Sequence, residues 1–307
     1  MLEEIILASP RGFCAGVDMA IETVEEALRK YGRIHVRHEI IHNKSVIAEL
    51  TEKGATFIEK LDQVPEGSRL IYSAHGVPPS VRQEAARRGL KTIDATCPLV
   101  EKVHREVKRY AQAGYSIILI GHKGHVEMEG TFGEAPAVTY IVGSAQEAER
   151  VTVPNPEKVA YATQTTLSVD ETRDIIAVLK TRFPSIEGPR THDICYATQN
   201  RQDAVKELAR ITQLVLVIGS KNSSNSTRLA EVARETGVPA YLIDHHSEIQ
   251  GGWLDGLRKV GVTAGASGPE YLVQGTVRHL QGLYPAANVQ TLRHIEEPER
   301  TFRLPEI

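Results

Sequence analysis

The pattern of apolar residues along the chain changes repeatedly from helical spacing to short continuous runs. In three segments the apolar positions recur every three or four residues, which predicts amphipathic helices. These helices follow the three cysteines and cover residues 17–32, 99–114 and 197–209. After each helix comes a continuous apolar run, at residues 34–41, 116–120 and 214–218. Runs of this length and composition predict buried strands.

Each of these strands ends in a polar turn that leads into a second predicted helix. The second helices are predicted at residues 45–53, around Gly130, and at 227–236. Further short strands are predicted at 70–74, 159–162 and 262–266, and they too end in small or polar residues. The chemistry-bearing side chains therefore collect at the ends of strands.

The spacing between each cysteine and the following polar turn is the same three times. An interval of 28 residues separates Cys14 from His42, Cys97 from His125, and Cys195 from Ser223. We interpret this as an internal repeat of three small βαβ units of the α/β class, each with a mostly parallel sheet. The repeats are predicted at 14–96, 97–193 and 194–283, followed by an irregular C-terminal extension at 284–307. Packed with pseudo-threefold symmetry, the three units would point their strand ends into one central cavity.

Composition limits the classes of function. The 307 residues carry 36 Lys and Arg against 39 Asp and Glu, a net charge of −3, and aromatic residues are 5 %. This balance disfavours nucleic-acid binding. No apolar run approaches the roughly 18 residues that span a bilayer, and the N-terminus lacks the basic region of a signal peptide. We therefore expect a cytoplasmic protein that does not enter a membrane, in a compartment where cysteines stay reduced.

The three cysteines permit several interpretations. Zinc sites usually have four ligands, often with paired CxxC spacing, which is absent here, and a zinc site of the three cysteines with one histidine stays open. A nucleophilic cysteine would explain only one of the three, and scattered cysteines are often simply buried. A cubane iron–sulfur cluster with three thiolate ligands and one open iron uses all three, and its negative charge suits helix N-termini. The open iron would act as a Lewis acid, and the cluster would also deliver electrons.

The polar turns indicate a compact oxyanion as the ligand. Imidazole, hydroxyl and amide groups without a surplus of Lys or Arg suit a diphosphate. The candidate residues are His42, His75, His125, Ser223, Ser224, Asn225 and Ser267. Each residue taken alone could have a structural role instead of binding an anion, since histidines form internal hydrogen bonds and serines are typical helix caps.

Glu127 is the candidate proton donor. A carboxylate beside an anionic cluster and an anionic ligand should have a raised pKa. The alternative is that Glu127 is an exposed glutamate at a helix start. Glu129, two residues further on, is the other candidate for the proton donor.

Eight strings in the chain resemble the 4-hydroxy-3-methylbut-2-enyl diphosphate reductases, the last enzymes of the non-mevalonate isoprenoid pathway. The resemblance runs from about residue 5 to residue 283. The strings are PRGFCAGV at 10–17, IHN at 41–43, SAHGV at 73–77, DATCPLV at 94–100, QTTLS at 164–168, DICYAT at 193–198, GSKNSSNS at 219–226 and VTAGAS at 262–267.

The resemblance implies a [4Fe–4S] cluster on Cys14, Cys97 and Cys195. It also implies that the N-terminal strand joins the third domain, which then comprises 1–13 plus 194–283. Glu127 would be the proton donor, with Thr165 beside it, and the histidines, serines and asparagine named above would bind the substrate diphosphate. The reaction would be a two-electron reductive dehydroxylation to isopentenyl and dimethylallyl diphosphate, with electrons from a ferredoxin or flavodoxin type donor.

One position departs from the pattern of that family, which usually has His-Pro-Glu at the acid. Here Val126 stands between His125 and Glu127, so a fixed φ is lost while the spacing is kept.

Two other functions are compatible with the residues. One is an iron–sulfur hydratase or dehydratase without net electron transfer, acting on a small phosphorylated substrate. The other is a phosphate-ligand sensor with a structural zinc or cluster.

Overall fold

The computed structural model describes residues 1–298 and 300–307. Twelve strands are found among them, and their pairing within the sheets is parallel. The strands are β1 (Glu4–Ser9), β2 (Ile34–Arg37), β3 (Ala55–Ile58), β4 (Arg69–Tyr72), β5 (Lys91–Asp94), β6 (Ser116–Ile120), β7 (Thr139–Val142), β8 (Val159–Thr163), β9 (Leu214–Ile218), β10 (Ala240–Ile243), β11 (Lys259–Ala264) and β12 (Asn288–Arg293).

The described residues also form ten α-helices and three short 3₁₀ turns. The helices are α1 (Ala15–Tyr31), α2 (Lys44–Glu52), α3 (Pro79–Arg87), α4 (Pro98–Gln112), α5 (Val126–Phe132), α6 (Ala145–Arg150), α7 (Val169–Arg182), α8 (Tyr196–Ile211), α9 (Ser224–Glu235) and α10 (Glu270–Leu283). The 3₁₀ turns are Leu61–Gln63, His246–Glu248 and Gly251–Trp253. None of these helices combines the length and the apolarity needed to cross a bilayer.

The chain folds into two compact units. The first comprises Met1–Val17, His42–Val46 and Tyr196–Arg300, and the second comprises Asp18–Ile41, Ile47–Cys195 and Thr301–Ile307.

The first unit contains a five-stranded sheet with the order β10-β9-β11-β1-β12. Its inner strand β9, which lies between β10 and β11, is buried on both faces. Leu214, Leu216 and Ile218 pack into one hydrophobic cluster, while Val215 and Val217 pack into the cluster on the opposite face. Parallel strands covered on both sides need such continuous apolar runs. The prediction of an irregular C-terminal extension is wrong for β12, which pairs with β1 from Glu4 to Ser9.

The second unit contains two smaller sheets. One has the order β3-β2-β4-β5 and the other the order β7-β6-β8. Strand β6 is buried like β9, with Ile118 and Ile120 in one cluster and Ile117 and Leu119 in another. The α/β class with three small parallel sheets is therefore confirmed.

The predicted helices after the cysteines are confirmed as α1, α4 and α8. The strands predicted at 116–120 and 214–218 have the bounds of β6 and β9. The strand predicted at 34–41 is too long, because β2 ends at Arg37 and the next residue, His38, has a φ of 61°. A residue in that left-handed region turns the chain and stops strand pairing.

Candidate functional site

Each cysteine lies at the start of a helix. Cys97 is the N-cap of α4, Cys14 directly precedes α1, and Cys195 directly precedes α8. All three are half-buried and none forms a disulfide. Helix N-termini stabilise negative charge, so these positions favour thiolates that are ligands of a negatively charged group.

In the first unit, the Cys14 loop is shaped by Gly12. This glycine has a φ of +71°, and a Cβ built on it would lie 3.0 Å from the carbonyl oxygen of Gly268. Its N–H donates to the carbonyl of Ala264 over 3.2 Å. The loop that carries Cys14 therefore lies against the turn that carries Ser267, with no room for a side chain between them.

Three of the predicted diphosphate residues are brought together in this unit. The hydroxyls of Ser223 and Ser267 are 3.2 Å apart, and the amide oxygen of Asn225 accepts the N–H of Ala266 over 2.7 Å. Ser223 also caps α9, accepting the N–H of Ser226 over 3.3 Å. Ser223 is therefore a helix cap, which is the alternative role predicted for the serines, and it also lies in the group with Ser267 and Asn225.

Two glycines leave room for Ser226 here, one in the turn after β9 and one in the turn after β11. A Cβ on Gly219 or Gly265 would lie 2.2 Å or 2.0 Å from the hydroxyl oxygen of Ser226. Ser224, half-buried, is the first residue of α9. His42 lies nearby in this unit, with its Nδ1 3.4 Å from the side-chain nitrogen of Asn222.

In the second unit, His75 and His125 lie next to each other. Their ring centroids are 5.9 Å apart with the planes at 82°. The Nδ1 atom of His125 accepts the backbone N–H of Glu127 over 3.1 Å, so His125 is the N-cap of α5. A neutral His125 therefore carries its proton on Nε2.

Glu127 is buried, with 3 % of its surface exposed. Thr165 donates to both carboxyl oxygens, from its N–H over 2.6 Å and from its hydroxyl over 2.9 Å. Burial raises the pKa of Glu127 to about 7; the Thr165 hydrogen bonds oppose this, and the charge of Asp193 adds to it. Glu129 is exposed. Of the two carboxyl groups, Glu127 is the one whose surroundings favour the protonated form near neutral pH.

The backbone ties two of the cysteines to these side chains. The N–H of Cys195 donates to the carbonyl of Thr165 over 3.1 Å. The N–H of Cys97 donates over 3.0 Å to the carbonyl of Ala74, the residue before His75. Within this unit, Cys195 is therefore connected through one residue to Glu127, and Cys97 lies beside the histidine turn.

A buried carboxylate supports the Cys195 segment and was not predicted from the sequence. Asp193 accepts the N–H of Thr163 over 2.9 Å and forms an ion pair with Lys102, also at 2.9 Å. Next to it, burial and then the neighbouring Asp193 raise the pKa of Glu106 to about 7. Its position inside the DICYAT string is the one sequence signal that marks Asp193.

A second unpredicted feature is a buried histidine under the His75 turn. His104, 3 % exposed, pairs through Nδ1 with Glu134 at 2.9 Å, and Lys108 binds the same carboxylate at 2.9 Å. Its Nε2 has no hydrogen-bond partner among the residues that the structure describes. The ring fills the space where a Cβ on Gly76 would lie, at 3.0 Å, or on Gly130, at 3.2 Å. His104 therefore packs between the His75 turn and the helix that carries Glu127.

Residues 5–281 match the protein family described as LytB protein. The chain belongs to the LytB family. The match covers the three cysteines and every other candidate residue described above. Relatives named 4-hydroxy-3-methylbut-2-enyl diphosphate reductase include those of Aromatoleum aromaticum and Chromobacterium violaceum. The first is 55 % identical over 99 % of this chain and 97 % of its own length, and the second 56 % over 99 % and 98 %.

Solved structures of the LytB fold agree with this assignment. One is the structure of the E-1-hydroxy-2-methyl-but-2-enyl-4-diphosphate reductase from Plasmodium falciparum. It is 41 % identical in sequence and has a TM-score of 0.96, and the match covers 99 % of this chain and 96 % of that one. A structure described as (E)-4-hydroxy-3-methyl-but-2-enyl diphosphate reductase, the terminal enzyme of the non-mevalonate pathway, covers 92 % with a TM-score of 0.64 and 32 % identity, and 100 % of that chain is matched. The resemblance stated from the eight strings is confirmed.

The donor set of the chain fits an iron–sulfur cluster. Three free cysteines at helix starts supply three thiolates, and thiolates are the usual ligands of such clusters. The fit is one of chemistry and not of arrangement, because among residues 1–298 and 300–307 no group of three or more His, Cys, Asp and Glu side chains is arranged to hold a metal ion.

Proposed function

We propose that the chain reduces (E)-4-hydroxy-3-methylbut-2-enyl diphosphate to isopentenyl diphosphate and dimethylallyl diphosphate, the last step of the non-mevalonate isoprenoid pathway. Relatives of that name match nearly the full length of the chain. The observation that carries the proposal is Glu127, a buried carboxyl bound at both oxygens by Thr165, with a pKa raised to about 7 by burial. A reaction that expels water from an alcohol needs such a protonated acid.

Cys14, Cys97 and Cys195 would hold a [4Fe–4S] cluster, and one iron would have no protein ligand. The cluster supplies electrons and a Lewis-acidic iron when it is bound. Positive helix ends at all three cysteines would offset its negative charge. We expect the three repeats, at 14–96, 97–193 and 1–13 plus 194–283, to contribute one cysteine each.

The diphosphate would be bound by His42, His75, His125, Ser223, Ser224, Asn225 and Ser267. His125 supports this assignment, since it caps the helix that carries Glu127 and its ring centroid lies 5.9 Å from that of His75. The Ser223 and Ser267 hydroxyls, 3.2 Å apart, would donate to neighbouring phosphate oxygens. Binding at the diphosphate would orient the other end of the substrate toward Glu127.

The overall change breaks one C–O bond and forms one C–H bond, using two electrons and two protons. Glu127 would give one proton to the leaving hydroxyl, so that water departs, and Thr165 would hold the carboxyl in place. The second proton joins carbon, and addition at either end of the allylic fragment gives the two isomeric products. The electrons would come from a ferredoxin or flavodoxin type protein.

The proposal is tested with protein purified without oxygen. We expect about four irons and four sulfides per chain, and conversion of the diphosphate substrate to both products with a chemically reduced viologen dye as electron source. Product is measured by mass spectrometry and dye oxidation by absorbance, and two electrons per product are expected. Dehydration or hydration of a phosphorylated substrate without dye oxidation would instead support the hydratase or dehydratase function. Tight binding without any product would support the sensor.

Two matched glutamate variants add the residue-level test. Glu127→Gln should keep its iron content and substrate binding while turnover falls by about 100-fold or more. Glu129→Gln, whose side chain is exposed two residues away, should turn over normally. Equal turnover in both variants would remove Glu127 from the reaction.

A further inference from the structure

Arg201 is the largest fully buried side chain of the first unit. It lies in α8 with 1 % of its surface exposed. Its Nε donates to the carbonyl of Gly12 and one terminal nitrogen donates to the carbonyl of Phe13, both over 3.0 Å. The other terminal nitrogen donates to the carbonyl of Ala197 over 2.9 Å. One guanidinium therefore binds the two consecutive carbonyls that directly precede Cys14.

The charge of Arg201 is balanced by the C-terminal segment. Glu297 lies 3.2 Å from the guanidinium, and it also accepts from the side chain of Asn200 over 2.9 Å. The carboxylate is 17 % exposed. A buried cation that has lost its solvent needs such a partner, and the planar fork of arginine matches carboxylate and carbonyl acceptors better than the ammonium of lysine.

The Cys14 loop has no helix or strand of its own to fix it. Residues 10–14 lie between β1 and α1, and Gly12 has a positive φ. Without Arg201 the carbonyls of Gly12 and Phe13 would lose their charged donor, and the backbone before Cys14 would gain freedom. Cys97 and Cys195 are tied instead by their own N–H groups, to Ala74 and Thr165. Arg201 thus binds the two carbonyls directly before Cys14, whereas near Cys195 it binds the Ala197 carbonyl inside α8, two residues after that cysteine.

We propose that Arg201, held by Glu297, is a positioning residue for Cys14: it fixes the backbone of the Cys14 loop so that the thiolate is presented in the geometry that the cluster requires. The effect of Arg201 on the cluster rests on the proposed function. Its effect on the backbone of the Cys14 loop does not, and that effect is tested without cluster or turnover.

The test measures alkylation of each cysteine in the metal-free protein. Arg201→Lys and Arg201→Gln are compared with the wild type, and the rate at each cysteine is read by peptide mass spectrometry after timed exposure to iodoacetamide. We expect the rate at Cys14 to rise by about tenfold while the rates at Cys97 and Cys195 stay within about twofold. The carbonyls directly before Cys14 lose their charged donor, whereas the lost bond to Ala197 lies inside α8, after Cys195. Glu297→Gln, which leaves Arg201 in place, should raise the Cys14 rate by a smaller factor.

Glu270→Gln is the matched control. Its carboxylate pairs with Arg11 of the same loop at 2.7 Å, but the Glu270 side chain is 50 % exposed and it is not a partner of Arg201. Its Cys14 rate should equal that of the wild type. Three cysteines reacting faster together would mean that the variant is generally destabilised, and an unchanged Cys14 rate in a folded Arg201 variant would mean that the loop does not need it. Either result overturns the proposal.

The second readout is iron retention. After anaerobic reconstitution, the Arg201 and Glu297 variants should lose iron to a chelator faster than Glu270→Gln does. A wild-type protein that fails to bind iron at all would count against the proposed function, whereas selective Cys14 alkylation would still support the positioning role of Arg201.

Discussion

Thr165 holds Glu127 at both carboxyl oxygens, with its N–H 2.6 Å from one and its hydroxyl 2.9 Å from the other. The same residue accepts the N–H of Cys195 through its carbonyl over 3.1 Å. A single loop residue thus fixes the position of a buried acid relative to a cysteine. The hydrogen bonds lower the pKa of Glu127 while burial raises it more strongly.

Glu127 should make the stability of the protein depend on pH in a defined window. Its pKa is about 7 in the folded protein against an ordinary value of 4.5, so the folded state binds the proton more tightly. Its contribution is complete below about pH 4.5 and is lost as the pH rises through about 7, with a total loss of about 3 kcal/mol. Glu127→Gln should remove this loss. Denaturant unfolding at pH 5 and pH 8 measures it, with Glu129→Gln as control. A pH dependence that is the same in Glu127→Gln and the wild type would contradict the raised pKa.

Turnover should fall on the alkaline side for the same reason. The reaction proposed above needs Glu127 protonated, so kcat/KM should decrease about tenfold per pH unit well above pH 7. Thr165→Val removes the hydroxyl donor and keeps the backbone N–H. We expect it to raise the pKa of Glu127 and move the alkaline limb to higher pH, with a lower maximum because the carboxyl is less well positioned. Thr165→Ser keeps the hydroxyl and should keep the limb near its wild-type position. A limb that stays in place in Thr165→Val would mean that the hydroxyl does not influence Glu127.

The core strands and cysteine helices were predictable because their apolar patterns are long and self-contained. The runs at β6 and β9 are buried on both faces, and the helical spacing of α4 continues for its 15 residues. The four-residue strand β7 has half-buried residues at its centre, and the exposed residues of β12 carry almost no pattern. Strand β12 forms because β1 offers it a partner more than 250 residues away, and local sequence does not contain that information.

The sequence predicted which candidate residues lie together in two cases, Glu127 with Thr165 and Ser223 with Ser267, and the roles of these residues stay predictions. The residues that support them were not predicted. Arg201 lies near the start of α8, where residues 197–202 are mostly polar. Its burial depends on carbonyls contributed from residues 12 and 13. His104 lies on an amphipathic helix, where a histidine on the inner face gives no sign of the Glu134 partner 30 residues further on.

The fit of His104 under the His75 turn should be measurable as a stability difference between two glycines. Gly76 and Gly67 have similar φ values, +77° and +70°, but an added Cβ meets His104 at 3.0 Å in the first case and open space in the second. Gly67→Ala should cost about 1–2 kcal/mol for the left-handed backbone alone. Gly76→Ala should cost about 1–3 kcal/mol more because the ring must move. Denaturant unfolding checks this, and combining Gly76→Ala with His104→Ala should recover part of the excess. Equal losses for the two glycines would show that the ring is free to shift.

The valine that departs from the usual His-Pro-Glu pattern sits in a backbone already suited to proline. Val126 is the first residue of α5, where the φ of a helix is close to the value that a proline ring imposes. The preceding residue, His125, has φ −75° and ψ 136°, the extended conformation that a following proline requires. Val126→Pro should therefore keep the turn and raise stability by about 0.4–1 kcal/mol, since proline restricts the unfolded chain. Val126→Ala, which removes the branched side chain without fixing φ, is the control, and thermal unfolding at one pH compares the three proteins. If Val126→Pro unfolded at a lower temperature than Val126→Ala, the turn between His125 and Glu127 would need a backbone freedom at this position that proline removes.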